Sequence, residues 1–257
     1  FFLRDGLSAA EKERMTAYGA DMSKYLDSGN EARIKKAYES RDPRLQMAVI
    51  TPYAQYNGAS SGIAHTYTLR WPYRGSDSAE PFDIRTDTND KFYYLWRKFV
   101  PEGLEQTERD TYGLDIPLIR YAEVLLLKAE ALNEWGSTHE SEAIRCVNEV
   151  RRRAGHVELN NATYPATKVN GQSDLRERIR NEYYWEIGGE DSMYFHELRW
   201  GTWKDKKFDN NRNGLMQMWG ETTYTWYWLG DQCWSWPIPA KEMEMNSNLE
   251  QNEGWIN

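Results

Sequence analysis

Apolar residues recur at three- and four-residue steps along residues 116–135, which places them on one face of a helix predicted at residues 118–135. The members of this face are Leu118, Tyr121, Ala122, Leu125, Ala129 and Leu132. A second helical pattern covers residues 139–154, with a capping box at Ser137 and Glu140 before it and a stop at Gly155 after it. Its apolar stripe consists of Ala143, Val147, Val150 and Ala154. The pattern predicts a helical hairpin of roughly 35–40 residues, the length of a tetratricopeptide-type repeat.

The rest of the chain is predicted to be helical at both sides of a loop-rich part. Further helices are predicted at residues 8–27, 31–41, 174–187 and 193–200. Short strands are predicted at Leu45–Ile50 and within Thr222–Trp236, whereas Thr51–Gly75 is predicted to be a long irregular loop. The fold class is therefore mainly α, with tetratricopeptide-like hairpins and short β-hairpins. Its parts are helices at 1–44, loops with short strands at 45–115, the hairpin at 116–155, a helix at 174–201, and aromatic loops with a C-terminal segment at 202–257.

Charge and hydropathy exclude several classes of protein. The formal net charge of −8 disfavours nucleic acid or an anionic membrane surface as the main partner. No run of about 18 apolar residues is present, so the sequence predicts no membrane-spanning helix. The two cysteines, Cys146 and Cys233, are compatible with buried thiols or with a disulfide, and the sequence leaves both open.

The aromatic residues are mostly of the kind that can sit half in water. There are 12 Trp and 17 Tyr against 7 Phe, and sugars stack on such rings while polar neighbours bind their hydroxyls. The loop Thr51–Gly75 combines both residue types, so it is a candidate ligand site, with anchoring of the loop as the alternative interpretation. Its rings are Tyr53, Tyr56, Trp71 and Tyr73, and its polar candidates are Gln55, Asn57, His65, Arg70 and Arg74.

Other rings have more structural interpretations. Packing between helices is predicted for Tyr121, Tyr183, Tyr184 and Trp185, because they fall inside helical patterns. The segment Trp219–Trp236 alternates rings with small polar residues. That pattern fits a cover over the helices, with ligand contact as the alternative.

The carboxylates Glu182, Glu186 and Glu190 are spaced by four residues and would lie on one face of a continuous helix. A glycoside hydrolase could use two of them. Ion pairing inside the protein is the preferred prediction. The predicted partners are Arg120, Arg151 and Arg152.

Metal and cofactor motifs are incomplete. His196-Glu197 begins like a zinc-protease motif, but Trp200 stands where the second histidine is needed. Asp209–Gly214 begins like a calcium loop, but Gly220 occupies the position of its bidentate glutamate. The sequence thus predicts no catalytic residues, no metal and no cofactor.

Ordered segments along the chain resemble the C-terminal half of the SusD/RagB family, and nothing in composition or periodicity alone indicates that family. The matching segments are Asp42–Leu45, Ile116–Glu134, Val147–Gly155, Ile179–Gly201 and Pro237–Trp255. The resemblance implies a surface-exposed lipoprotein of the Bacteroidetes outer membrane. Such a protein binds oligosaccharides or polysaccharides and passes them to a SusC-like TonB-dependent transporter. It also implies that Glu182, Glu186 and Glu190 belong to a packed helix.

The resemblance also implies a signal peptide, a lipid-bearing cysteine and a long N-terminal portion. The sequence begins at Phe1 without them, so we expect it to be a C-terminal fragment or a cleaved product. Membrane attachment would then come only through a lipid anchor on the N-terminal portion. A glycoside hydrolase and a protein-binding helical-repeat scaffold remain the alternatives to a glycan-binding protein.

Trp71 tests the loop hypothesis. If its ring is part of a sugar platform, Trp71→Ala is expected to weaken glycan binding by about 1–3 kcal/mol while the melting temperature falls little. Both quantities are measured on the same variant of the full-length protein. Unchanged affinity with a lower melting temperature would mean that Trp71 only anchors the loop.

Overall fold

The computed structural model describes most of the chain. The described residues are 38, 41–51, 53–60, 63–69, 83–84, 95–102, 115–190, 192–208 and 227–255. The predicted helices at 8–27 and 31–41, apart from residues 38 and 41, and the calcium-like segment Asp209–Gly214 lie outside them. By internal contacts the chain divides into two compact units, residues 1–193 and 194–257.

Helices dominate the described residues, as predicted. They are α1 (Pro43–Ala48), α2 (Tyr121–Trp135), α3 (Glu140–Arg153), α4 (Gln172–Ile187), α5 (Ser192–Arg199), α6 (Trp203–Lys207) and α7 (Ala240–Met245). The predictions at 118–135, 139–154, 174–187 and 193–200 are confirmed to within three residues at each end. None of the described helices is long and apolar enough to span a bilayer.

Helices α2 and α3 form the predicted hairpin, and α2 also packs on α4. Apolar side chains of both hairpin helices are buried at this contact, among them Leu125, Leu126 and Val147. Two members of the predicted face are exposed instead: Leu118 by 94% and Tyr121 by 68%. Leu118 precedes the helix, and Tyr121 is its first residue, one position off the buried stripe that begins at Ala122.

The ends of the hairpin helices differ from the sequence prediction at one point. Ser137–His139 forms a short 3-10 helix, and no side chain caps the start of α3 at Glu140. The predicted capping box is therefore wrong. At the other end Gly155 has φ +68°, a left-handed conformation that glycine adopts without strain, so it ends α3 as predicted.

The predicted strand at Leu45–Ile50 is helical over most of its length. Asp42 accepts a hydrogen bond from the backbone N–H of Arg44 at 2.9 Å, and Pro43 occupies the first helical position. Both features start a helix, which overrides the strand-like composition. Only Val49–Ile50 is extended; this strand, β1, pairs antiparallel with β5 (Leu95–Trp96).

The predicted irregular loop contains an antiparallel hairpin instead. Strands β2 (Gln55–Ser60) and β3 (Ile63–Leu69) pair with Tyr56 opposite Tyr67 and Gly58 opposite His65, and β4 (Asp83–Ile84) lies parallel to β3. A Cβ on Gly58 would lie 2.7 Å from the ring of Tyr67. Glycine in mid-strand thus makes room for that ring.

In the second unit, residues 194–257, contacts between aromatic rings and hydrogen bonds of the Gln251 side-chain amide join separate parts of the chain. Its predicted strand within Thr222–Trp236 is not seen over the described residues 227–236, where Asp231–Trp234 forms a 3-10 helix after Gly230. Rings of Tyr194, Trp203, Phe208, Trp228 and Trp234 contact one another in sequence, mostly edge to face. The side chain of Gln251 forms hydrogen bonds with both the N–H and the carbonyl of Ile238. Cys146 and Cys233 are both free thiols.

Leu125 tests the hairpin core. Leu125→Ala is expected to lower the free energy of unfolding by about 2–5 kcal/mol, because it leaves a cavity between packed helices. Leu118→Ala is the matched control and should change it by less than about 0.5 kcal/mol, since this side chain lies in water. Chemical denaturation of both variants decides, and equal losses would contradict the observed face.

Candidate functional site

Glu182, Glu186 and Glu190, which we call the glutamate stripe, lie at the centre of a buried network of charges. Glu182 and Glu186 stand one turn apart on α4 and are both buried, whereas Glu190 follows the end of the helix after a Gly188-Gly189 turn. The three carboxylates are thus not on one continuous helix. Shared arginines nevertheless link them, because Arg44 contacts Glu182 and Glu186 and Arg120 contacts Glu186 and Glu190.

Glu182 is fully buried between two arginines. One of its oxygens accepts from Arg44 at 2.7 Å and the other from Arg151 at 3.0 Å. Arg44 also pairs with Asp42 at 2.6 Å, and Arg151 donates from its Nε to the carbonyl of Val157 at 2.7 Å. These contacts join α1, α3 and α4 at one point.

Glu186 and Glu190 extend the network toward the surface. Glu186 accepts from Arg44 at 3.1 Å, from Arg120 at 3.0 Å and from Arg153 at 2.6 Å. Glu190 pairs with Arg120 at 2.8 Å and with Lys98 at 2.5 Å. The stripe therefore pairs inside the protein, as predicted.

The partners of the stripe are only partly those that the sequence predicts. Arg120 and Arg151 are confirmed, but Arg152 points outward and pairs with Glu158 at 2.9 Å. Its neighbour Arg153 reaches Glu186 instead. The sequence analysis did not identify Arg44 as a partner of the glutamates. Asp42 and Pro43 are typical residues at the start of a helix, and Asp42 could have indicated the position of Arg44, because its carboxylate pairs with the Arg44 side chain.

Burial and arginine contacts act in opposite directions on the carboxyl groups. Burial raises the pKa of Glu182, against the charges of Arg44 and Arg151. Burial also acts to raise the pKa of Asp42 and Glu186, but their arginine partners outweigh it and hold both pKa values below the ordinary range. These two groups therefore stabilise the fold at neutral pH and lose that contribution as the pH falls through their lowered pKa values.

His156 closes the network on the side of α3. Burial, with the charge of Arg151, lowers the pKa of His156 and favours the neutral ring. The ring stacks on Trp185 with centroids 5.6 Å apart. Trp185 thus packs against the network and Tyr183 is fully buried, so the predicted packing is confirmed for both. Tyr184 is half-buried. Tyr121 is exposed, so the predicted packing of Tyr121 is wrong.

The candidate ligand residues fall on different sides of the β2–β3 hairpin. Tyr53 is buried against Tyr38, Leu45, Ala48 and Val49, and its φ of +60° is held by this packing. Tyr56 packs on Ile50 and Leu69, and its hydroxyl donates to the carbonyl of Pro101 at 2.6 Å. Arg70, Trp71, Tyr73 and Arg74 lie outside the described residues.

The opposite side of the hairpin is polar and open to water. Gln55, Asn57 and Thr66 are exposed, and Thr68 is half-buried. Asn57 and Thr66 face each other across the strands, and the Thr66 hydroxyl donates to Asn57 Oδ1 at 3.3 Å. We call these four residues the polar hairpin face. It offers amide and hydroxyl groups, which can both donate to and accept from a sugar hydroxyl. His65 lies on the other side, with its ring edge-on to Tyr67.

Two adjacent cations join the hairpin to α4. Arg97 donates to the carbonyl of Gln55 at 2.7 Å and pairs with Glu102, which in turn accepts from the N–H of Asn57 at 3.2 Å. Lys98 donates to the carbonyls of Glu186 at 3.0 Å and Gly188 at 3.2 Å, at the end of α4. Sequence reasoning missed Arg97, Lys98 and Glu102, because nothing in their spacing relates them to the hairpin.

The sequence model of the SusD family matches this chain over residues 9–255. The chain belongs to the SusD family. This confirms the resemblance inferred from the ordered segments. The buried glutamates, the helical hairpin and the polar hairpin face are thus features of a SusD-family chain.

Curated relatives match a shorter part. SusD-like protein P38 of Formosa agariphila is 32% identical over 139 residues, covering 54% of this chain and 24% of the relative. Starch-binding protein SusD of Bacteroides thetaiotaomicron is 28% identical over 161 residues, covering 62% of this chain and 25% of the relative. The aligned region spans about a quarter of the length of these relatives.

Solved structures support the fold. A SusD-like protein from Bacteroides fragilis superposes with a TM-score of 0.55 at 22% identity, covering 86% of this chain and 40% of that one. A SusD superfamily protein from Bacteroides vulgatus gives 0.51 at 19% identity, covering 96% and 46%. The mainly α class with small hairpins is confirmed.

Arg44 tests the buried network. Arg44→Met is expected to cost about 3–5 kcal/mol in unfolding free energy, because Asp42 and Glu182 would stay buried with fewer cations around them. Arg152→Met removes an arginine whose side chain is 65% exposed, so this control should cost at most about 1 kcal/mol. Urea denaturation at neutral pH measures both, and similar losses would show that the network is not what holds α1 to α4.

Proposed function

We propose that this chain acts as part of a glycan-binding protein at the surface of the outer membrane. In this role it captures oligosaccharides or polysaccharides and delivers them to a SusC-like TonB-dependent transporter. The observation that carries the proposal is the match to the SusD family over residues 9–255, since one relative is named a starch-binding protein. Surface exposure and a lipid anchor belong to the same proposal.

The polar hairpin face is the part of the described chain that we assign to the ligand. Its groups are uncharged, and all of them except the half-buried Thr68 are exposed, which suits a neutral carbohydrate. Tyr56 and Tyr53 pack behind the hairpin and stiffen it. In addition to Asn57, we assign to the ligand four residues that follow β3 in the sequence, namely Arg70, Trp71, Tyr73 and Arg74.

Binding without hydrolysis is the activity that the geometry supports best. A glycosidase needs two carboxyl groups on either side of the scissile bond, open to substrate. Glu182 and Glu186 are buried and engaged by Arg44 and other arginines. The glutamate stripe therefore offers no route for a sugar to reach its carboxylates, and we infer that the protein is not an enzyme of this kind.

The experiment that tests the function is affinity electrophoresis of the full-length protein in gels containing a panel of polysaccharides. Retarded migration in at least one neutral polysaccharide, with no release of reducing sugar, is the expected result. Turnover that disappears in Glu182→Gln would favour the hydrolase. No retardation in any gel, together with retention on a peptide or protein column, would favour the protein-binding scaffold.

Thr66 tests the assignment of the ligand face. Thr66→Val keeps the shape of the side chain and removes its hydroxyl, so glycan affinity is expected to fall by about 0.5–1.5 kcal/mol. The control is Thr138→Val, which removes an exposed hydroxyl at the tip of the α2–α3 hairpin. Isothermal titration with the retained polysaccharide compares the two. Equal affinity for Thr66→Val and the unmodified protein would remove the polar hairpin face from the site.

A further inference from the structure

Trp236, in the second unit, combines high exposure with a fixed position. Its side chain is 74% exposed. The indole N–H nevertheless donates to the hydroxyl of Tyr194 at 3.2 Å, and the backbone carbonyl accepts from Asn252 Nδ2 at 2.6 Å. Pro237 follows directly and restricts the chain further. Two hydrogen bonds thus fix the position of Trp236 while its ring face stays exposed to water. A ring that is already fixed loses less conformational entropy when a ligand stacks on it.

The neighbours of Trp236 supply a second exposed ring and a hydrogen-bond donor. Phe195 is 65% exposed, and its ring lies 5.3 Å from that of Tyr194. The Tyr194 oxygen accepts from Trp236, which leaves the phenolic proton to be donated. Among the described residues, no hydrogen bond is donated by this hydroxyl. Trp236, Tyr194 and Phe195 are together called the indole surface.

Four other rings of this unit pack against one another. Trp203, Phe208, Trp228 and Trp234 are all partly covered and contact one another. The N–H of Trp228 lies 3.3 Å from Asp231, and that of Trp255 lies within 3.1 Å of two backbone carbonyls. Cohesion of the unit therefore explains these rings, but it does not explain an indole that is fixed and left in water.

We infer that the indole surface is a second carbohydrate subsite, which takes one pyranose unit of a neutral saccharide. The C–H face of the sugar would stack on Trp236, and a sugar hydroxyl would accept a hydrogen bond from the hydroxyl of Tyr194. A hydrogen-bond donor at the edge of an aromatic face is the arrangement that a pyranose needs, since its own edge is lined by hydroxyls. The inference rests on the proposed glycan-binding function and adds a site outside the hairpin.

The test compares Trp236→Ala with Trp135→Ala in the full-length protein. Trp135 is 76% exposed and stacks on His139 at the tip of the α2–α3 hairpin, so it is a control of equal exposure. Affinity for the polysaccharide retained by the unmodified protein is expected to fall about threefold to tenfold in Trp236→Ala and to stay unchanged in Trp135→Ala. Tyr194→Phe, which keeps the ring and removes the hydroxyl, is expected to weaken binding about threefold.

The outcomes separate the two proposals. Unchanged affinity in both Trp236→Ala and Tyr194→Phe, with weaker binding in Thr66→Val, would overturn the subsite and leave the proposed function in place. Equal losses in Trp236→Ala and Trp135→Ala would also overturn it. If Trp236→Ala melts at a lower temperature, Tyr194→Phe decides. No binding of any polysaccharide by the unmodified protein would remove the function and the subsite together, and loss of a protein partner alone would assign the surface to that partner.

Discussion

Charges withdrawn from water must meet charges of opposite sign, and in this protein that requirement falls on Glu182 and Arg151, both without solvent contact. Each of them keeps its buried partner only while α3 and α4 hold their relative position. Arg44 adds α1 to the same arrangement through Glu182 and Glu186. A shift of any of these helices would leave a buried ion without its partner. The network therefore specifies how the helices meet, while the apolar stripes supply most of the favourable free energy of burial.

The same network also sets the position of the β2–β3 hairpin. Arg97 and Lys98 are neighbours in the chain but contact different elements. Arg97 donates to the β2–β3 hairpin, and Lys98 donates to the end of α4. Because Lys98 also pairs with Glu190, the link continues into the cluster around Arg120. The polar hairpin face is thus attached to the helical body through charged side chains at its base, and the tyrosines behind it add apolar contacts. A surface fixed in this way pays less entropy when it binds a ligand.

Elements that depend on local periodicity were predictable from the sequence. The α2–α3 hairpin follows from apolar steps of three and four, and Gly155 ends it for a local reason. Elements that depend on distant contacts were not. Gly58 and the serines and threonines around it read as a loop, because the partner that makes β2 a strand lies across the turn in β3. The pairing of Arg153 rather than Arg152 with Glu186 depends on the rotational phase of α3 relative to α4, which spacing alone does not determine.

The most direct test of the account is a crystal structure of the full-length protein with a bound oligosaccharide. The account predicts a sugar unit whose hydroxyls lie within hydrogen-bond distance of Asn57 and Thr66, with Glu182 and Glu186 still paired to Arg44 beneath the surface. A bound sugar that touches neither the polar hairpin face nor the segment following β3 would contradict it. So would a saccharide whose glycosidic bond lies against the carboxylates of α4.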